Sequence, residues 1–215
     1  MNTNNIKEIG RLKRLFARIA GKRRTIMLSG YAESGKTTLL TVLGLNRDVV
    51  DEDVNKRTSG IICYHIEYET KEGEKLYIKS VDSEGLAKTV NDSLFEKELE
   101  KHRYILYLLN VNEFVNGNNK VANEYSLTWL QKINILARKN KKVMMLILSH
   151  ADEYLQSIGE EYTEGNKTII RELFLSDSGL LSGVKYNCEV MVADVQKIKE
   201  VRSIIDHLIQ LDRLK

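Results

Sequence analysis

The stretch GYAESGKTT, residues 30–38, matches the phosphate-binding pattern G-x-x-x-x-G-K-[ST]. Gly30 and Gly35 let the backbone turn closely around an anion, so that successive N–H groups and the start of a following helix can face phosphates. Lys36 adds positive charge, and Thr37 offers a hydroxyl to a Mg²⁺ ion that bridges phosphate oxygens. A glycine turn without a ligand is the alternative interpretation of the pattern alone. The predicted phosphate contacts are Gly30, Tyr31, Ala32, Glu33, Ser34, Gly35, Lys36, Thr37 and Thr38.

A second motif, D-x-x-G, follows the apolar run that begins at Leu76. Its acid, Asp82, is predicted to act in the second shell of Mg²⁺, and the backbone N–H of Gly85 is predicted to meet a γ-phosphate. The motif alone is weak. Its position directly after a strand, in the first half of the chain and downstream of the phosphate loop, makes it informative. Asp82 and Thr37 together predict a magnesium site.

These loops need a scaffold, and apolar runs alternate with amphipathic stretches from residue 25 onward. That alternation is typical of a largely parallel sheet covered by helices. Strands are predicted over residues 25–29, 61–68, 75–81, 103–110, 142–149 and 187–193. Helices are predicted over residues 36–44, 88–101, 121–139, 160–175 and 195–213. Residues 69–74 are too short for a crossover helix, so the second and third strands are predicted to form an antiparallel hairpin.

The chain of 215 residues has a net charge of +3, but the charge is unevenly placed. Residues 1–24 contain eight basic residues and one acidic residue, which leaves the rest of the chain mildly acidic. The body has no basic patch with interleaved aromatic residues, so we expect no nucleic-acid partner. Two cysteines without metal-site spacing, together with no apolar run of membrane-spanning length and no signal peptide, predict a cytoplasmic location.

The motifs and their order resemble those of small GTPases of the Ras superfamily, nearest to the Arf and heterotrimeric G protein α-subunit branch. The stretches E-S-G-K (33–36) and T-x-G-I (58–61) match α-subunit segments in particular. The resemblance implies a six-stranded Ras-like P-loop G domain over residues 25–215, with one antiparallel strand and helices on both faces. It also implies GTP and GDP as ligands and Mg²⁺ as cofactor.

The resemblance assigns further site residues. Thr58 is the candidate for the threonine that closes onto Mg²⁺ when the γ-phosphate is present, although an ordinary loop threonine is the alternative. With Lys36 and Gly85, it is expected to act on the γ-phosphate. S-H-A-D (149–152) stands where the family has N-K-x-D, so Asp152 is expected to accept two hydrogen bonds from guanine. Ser149, His150 and the backbone N–H of Ala193 complete the expected base site.

Two departures from the family bear on hydrolysis. Leu86 occupies the position of the glutamine that orients the attacking water, and Asn55 stands where α-subunits carry an arginine. The first interpretation is a regulatory GTPase with slow intrinsic hydrolysis, whose GTP form binds a protein partner through residues 50–60 and 82–95. The alternatives are a hydrolysis-deficient scaffold locked by nucleotide and, with less support, a P-loop ATPase or kinase.

The N-terminal segment, residues 1–24, forms a separate unit in this interpretation. Its apolar residues recur at helical spacing, with Arg and Lys on the other face. A basic amphipathic helix of this kind suits peripheral contact with an anionic membrane through residues 6–24. A helix packed on the G domain or on a partner is the equally weighted alternative.

Overall fold

A computed structural model describes residues 10–50, 62–82, 92–117, 120–176, 179–182 and 188–214. Its centre is a six-stranded sheet in the order β2-β3-β1-β4-β5-β6. The strands are β1 (Arg23–Gly30), β2 (Ile62–Glu69), β3 (Lys75–Asp82), β4 (Tyr104–Asn110), β5 (Val143–Ser149) and β6 (Glu189–Val192). Every neighbouring pair is parallel except β2 and β3, which form the predicted antiparallel hairpin.

Eight helices lie in the described part of the chain. They are α1 (Arg11–Ile19), α2 (Lys36–Leu45), α3 (Asp92–Glu100), α4 (Val111–Asn116), α5 (Lys120–Lys139), α6 (Ala151–Ser157), α7 (Glu164–Leu175) and α8 (Ile198–Arg213). None of the helices in the described residues is both long enough and apolar enough to cross a membrane.

The sheet separates two apolar cores because alternate side chains of each strand point to opposite faces. In β4, Tyr104, Leu106 and Leu108 join the core that contains residues of α2 and α8. Ile105 and Tyr107 join the other core, which contains residues of α3, α5 and α7. Strands covered on both faces must be apolar throughout, which explains why β4 and β5 are nearly continuous apolar runs.

The fold prediction is confirmed, including the mostly parallel sheet and its one antiparallel pair. Two short helices, α4 and α6, were not predicted; each begins directly after a central strand. The N-terminal helix ends at Ile19, and Arg23 and Arg24 already belong to β1, so the basic residues of segment 1–24 are divided between two elements. Residues 1–9 lie outside the described part.

Candidate functional site

The carboxyl ends of the parallel strands bring the predicted site residues to one edge of the sheet. Leu28 is in register with Asp82, and Gly30 is in register with Leu108. Asn110 and Ser149, the last residues of β4 and β5, are also in register. The phosphate loop, which follows β1, therefore lies at the same edge as the carboxyl ends of β3, β4 and β5, where open α/β sheets bind ligands.

Close approach of the backbone explains both glycines of the phosphate loop. Gly30 has a φ of 146°, and a Cβ there would lie 2.3 Å from the Leu108 carbonyl oxygen. Gly35 has a φ of 84°, and its Cβ would lie 2.7 Å from Cγ2 of Val195. Both values of φ are positive, a region that L side chains rarely adopt. A side chain at either position would therefore displace the loop from its supports.

Lys36 is only 6% exposed and lies inside the loop that precedes it. Its Nζ donates to the carbonyl oxygens of Gly30 at 3.2 Å and Tyr31 at 2.9 Å, and lies 3.4 Å from Oγ of Ser34. Burial lowers the pKa of Lys36 below its ordinary 10.5, and the nearby Asp82 carboxylate opposes that shift. An anion in the loop would meet this buried ammonium with little competing water, which strengthens the attraction.

Thr37 and Asp82 come together although they are distant in the sequence. The Thr37 hydroxyl donates to Oδ2 of Asp82 at 2.7 Å, and Asp82 is fully buried. Burial raises the pKa of the nearby Tyr64 hydroxyl, and the Asp82 carboxylate raises it further. A hydroxyl and a carboxylate are the hard oxygen donors that Mg²⁺ prefers, so this pair fits the predicted ion.

The magnesium prediction does not require a cage of protein ligands. Among the described residues, no group of three or more His, Cys, Asp or Glu side chains is arranged to hold a metal. Mg²⁺ is commonly bound through one or two protein oxygens, substrate phosphates and water. The Thr37–Asp82 pair beside the phosphate loop matches that pattern.

Asn110 is a supporting residue that the sequence analysis missed. Its Nδ2 donates to the Glu33 carbonyl at 3.0 Å, while its Oδ1 accepts from the Glu113 N–H at 2.9 Å and caps α4. The spacing of Asn110 and Glu113 resembles a helix-capping signal, so the start of α4 was detectable. The contact between Asn110 and the phosphate loop depends on strand register, so the sequence pattern did not reveal it.

Ser149, a residue of the predicted base site, lies beneath the phosphate loop. It is fully buried, and its hydroxyl lies 3.0 Å from the Ser34 carbonyl and 3.1 Å from the Leu109 carbonyl. With one proton to donate, it can bond one of these oxygens at a time. Ser149 therefore ties the end of β5 to the loop backbone.

His150 and Asp152 open α6 at the same edge. His150 has a left-handed φ of 54°, and its Nδ1 lies 2.7 Å from Oε1 of Glu153. Its Nε2 is directed toward the phosphate loop, 3.4 Å from where a Cβ on Gly35 would lie. Asp152 is half-buried. Burial raises the pKa of Asp194, and the negative charge of Asp152 raises it further.

The structure gives the Ala193 N–H a different partner from the predicted one. It donates to the Leu148 carbonyl at 3.1 Å, as a continuation of the pairing between β5 and β6. The N–H expected to reach guanine is therefore already used within the sheet. The next N–H, that of Asp194, donates to Oε2 of Glu200 at 3.0 Å.

Glu200 is a second residue that the sequence analysis missed. Besides the Asp194 N–H, its Oε2 accepts hydrogen bonds from Tyr162 Oη at 2.9 Å and from Lys167 Nζ at 3.0 Å. Burial raises the pKa of Tyr162, and Glu200 raises it further. These contacts join the segment after β6 to α7 and α8. No sequence pattern marks the contacts with Tyr162 and Lys167, because these residues lie 38 and 33 positions before Glu200 in the chain.

Thr58, Gly85 and Leu86 lie outside the described residues, as do most of the predicted partner segments 50–60 and 82–95. Their assignments stay predictions from the sequence.

No protein-family model matches the chain, and no curated protein sequence matches it. Comparison with solved structures finds a structure of the mammalian SRP receptor, with a TM-score of 0.58 and 14% identity, over 86% of this chain and 100% of that chain. It also finds the bacterial selenocysteine-specific elongation factor EF-Sec, with a TM-score of 0.55 and 14% identity, over 88% of this chain. The match covers 29% of the EF-Sec chain. At this identity the likeness concerns architecture, and the chain has the fold of a GTPase G domain.

Proposed function

We propose that the protein binds guanine nucleotides with Mg²⁺ and acts as a molecular switch. The observation that carries the proposal is the 2.7 Å contact between Thr37 and Asp82, directly beside the buried Lys36. The positive charge that would meet the phosphates and the oxygen atoms that would bind the metal thus lie at one edge of the sheet. The motif order supports a place near the Arf and G protein α-subunit branch.

Each part of the phosphate site has a separate task in this proposal. The N–H groups of residues 30–38 and the start of α2 face the phosphates, and Lys36 supplies positive charge. Thr37 would hold Mg²⁺ directly, and Asp82 would act through its second shell. When bound, the ion neutralises charge on the phosphate oxygens. Asn110 and Ser149 hold the loop backbone in place for these contacts.

Guanine selectivity rests on Asp152. A carboxylate can accept hydrogen bonds from both N1–H and the N2 amino group of guanine, a pair of donors that adenine lacks. The half-buried position of Asp152 at the start of α6, on the same edge as the phosphate loop, supports this role. His150 lies between the two, so it is placed to contact the base or the loop.

Switching and partner binding are proposed through residues 50–60 and 82–95, which flank β2 and β3. The observation that supports this is the position of Asp82, where the second segment leaves the metal site. A γ-phosphate that orders both segments would change the surface offered to a protein. The competing proposal is a scaffold locked by nucleotide, which Leu86 favours because an apolar side chain cannot hydrogen-bond the attacking water.

Nucleotide competition tests the proposal. The purified protein is analysed for co-bound nucleotide, and GTP, GDP and ATP then compete against labelled GDP in the presence of Mg²⁺. We expect GTP and GDP to compete and ATP to fail, while Lys36→Ala removes tight binding of labelled GDP. ATP competing as well as GTP would overturn the guanine assignment and favour the ATPase alternative.

A further inference from the structure

Helix α1 is docked with its apolar face turned outward. Ala17 is buried, and Lys13 lies 3.8 Å from Glu67 of β2, so this side of α1 faces the sheet near β1 and β3. Leu12, Leu15, Phe16 and Ile19 cluster on the opposite side and are between 53% and 73% exposed. A surface helix of a globular domain normally buries its apolar stripe. The outward face of α1 is therefore available for another apolar environment.

The sheet edge next to α1 is basic. Lys22 and Arg23 stand at the start of β1, Arg103 precedes β4, and Arg138, Lys141 and Lys142 surround the start of β5. We call these six residues the basic edge. Because β1, β4 and β5 are parallel, their amino ends meet at one edge of the sheet. This edge is opposite the one that carries the phosphate loop.

Direct contacts show that the three strand starts form one surface. Nη1 of Arg103 donates to the Lys141 carbonyl at 3.0 Å, and the Arg103 N–H donates to Oγ1 of Thr25 at 3.2 Å. Lys142 Nζ donates to the Glu100 carbonyl at 2.6 Å. With neighbouring strands about 4.8 Å apart, the basic edge runs from the strand beside α1 across two more strands.

Some of this positive charge is not neutralised within the protein. Arg103 is paired with Asp212. Within the described residues, neither Arg138 nor Lys141 has a carboxylate at salt-bridge distance, and both side chains are exposed. Arg103, Arg138, Lys141 and Lys142 also line a cavity of about 610 Å³, whose lining includes one acid, Glu189. The arrangement favours an anionic occupant.

We propose that α1 and the basic edge together form a docking surface for a bilayer that contains anionic phospholipids. The apolar face of α1 enters the boundary between headgroups and acyl chains, and the basic edge meets lipid phosphates and carboxylates. An RNA or an acidic protein would use the charge but would leave four large apolar side chains in water. Docking at this edge leaves the phosphate loop facing away from the bilayer.

The experiment measures binding of the full chain to vesicles of phosphatidylcholine with and without phosphatidylserine, by co-sedimentation. The edge variant is Arg138→Gln/Lys141→Gln. The matched control is Lys120→Gln/Lys199→Gln, which removes the same charge from exposed positions in the first turns of α5 and α8, toward the opposite edge. The apolar variant is Leu12→Gln/Phe16→Gln, in which glutamine keeps helix propensity. Circular dichroism and urea unfolding report whether each variant is folded.

We expect the wild-type protein to bind vesicles that contain phosphatidylserine more tightly than vesicles of phosphatidylcholine alone. This binding should weaken as the salt concentration is raised. The edge variant should bind about 25-fold more weakly, at roughly fivefold for each basic residue. The control should change less than about twofold, and the apolar variant should lose most of the binding.

Three outcomes would overturn the proposal. If the wild-type protein binds both kinds of vesicle equally, or binds neither, an anionic membrane is not the partner of this surface. If the edge variant binds the vesicles as tightly as its control does, the basic edge takes no part in docking. Duplex RNA that binds as tightly as phosphatidylserine vesicles, and that responds to the edge variant but not to the apolar variant, assigns the surface to nucleic acid. None of these results depends on nucleotide binding, so the proposed function is tested separately.

Discussion

The Thr37 hydroxyl donates a hydrogen bond to the Asp82 carboxylate at 2.7 Å, and this contact joins the start of α2 to the end of β3. The two residues come from different motifs with β2 and most of β3 between them. Their contact makes the phosphate loop and Asp82, the first residue of the D-x-x-G motif, parts of one site.

Thr37→Ala should make nucleotide affinity nearly independent of Mg²⁺. The variant removes the hydroxyl proposed to bind the ion, and loss of such a ligand should cost about tenfold or more of the metal effect. The measurement is GDP affinity in Mg²⁺ and in EDTA. Thr41→Ala is the matched control, because the Thr41 hydroxyl donates to the Thr37 carbonyl at 2.9 Å and is not a proposed metal ligand. A Thr37 variant that keeps the full Mg²⁺ effect would contradict the metal role.

Asp152→Asn should shift base preference from guanine to xanthine. The asparagine amide presents a donor where the N2 amino group of guanine also donates, whereas xanthine offers an oxygen there. Sites built on paired polar contacts discriminate by roughly 10⁴-fold, so GTP affinity should fall steeply and xanthosine triphosphate affinity should rise. Competition assays measure both. Glu153→Gln, which changes the next carboxylate, should keep guanine preference; equal effects of the two variants would assign base recognition elsewhere.

Gly30→Ala should destabilise the protein by about 3 kcal/mol, because the new methyl group would overlap the Leu108 carbonyl at 2.3 Å. Gly73→Ala separates this overlap from backbone strain. Gly73 also has a positive φ, 78°, but a Cβ there meets nothing within 4 Å. We expect its cost to be about 1 kcal/mol. Urea unfolding measures both, and equal losses would show that the Leu108 contact has no effect.

Asp212→Asn should lower stability by about 1 kcal/mol at neutral pH. Partial burial favours a higher pKa for Asp212, but hydrogen bonds from Arg103 and Tyr104 outweigh it and lower the pKa below the ordinary 3.8. A depressed carboxyl pKa contributes stability above pH 3.8 that is lost as pH falls through the lowered value.

The unfolding free energies of the wild type and the Asp212→Asn variant should therefore differ above pH 4 and become equal in strong acid. Glu172→Gln is the control, since its side chain is exposed on α7 and its loss should change stability by under about 0.5 kcal/mol. A wild type and an Asp212 variant that differ equally at all pH values would show that the carboxylate charge is not the cause.

Intrinsic GTP hydrolysis should be slow, at or below roughly 10⁻⁴ s⁻¹. Phosphoryl transfer needs the attacking water held in line, and Leu86 has no polar group to hold it. Leu86→Gln should raise the single-turnover rate only modestly, because a lone glutamine acts without an arginine. Leu86→Met, which stays apolar, should match wild type. A wild-type rate near 10⁻² s⁻¹ would instead show a complete set of catalytic groups within this chain.

The sequence predicted what is encoded locally and missed what depends on register. Apolar runs located all six strands, and the glycines of residues 30–35 located the phosphate loop. Helices α4 and α6 are too short to show a periodic pattern, so neither was predicted. Asn110 contacts Glu33, and Glu200 contacts Tyr162 and Lys167, across more than thirty residues of chain. The Ala193 N–H bonds the Leu148 carbonyl in the ladder between β5 and β6. Contacts of this kind follow from strand pairing, which single-residue patterns do not contain.

The central place of β1 determines when the phosphate-loop site can form during synthesis. β1 leaves the ribosome first among the strands, yet Ile26 pairs with Ser80 on one side and Tyr104 on the other. Both pairings close long loops, which is entropically costly before other contacts form. A nascent chain that ends before β4 therefore has the complete phosphate-loop sequence without the Leu108 and Asn110 supports. A nucleotide bound as we propose therefore cannot guide the early steps of folding, and its stabilising effect would begin only after the sheet has assembled around β1.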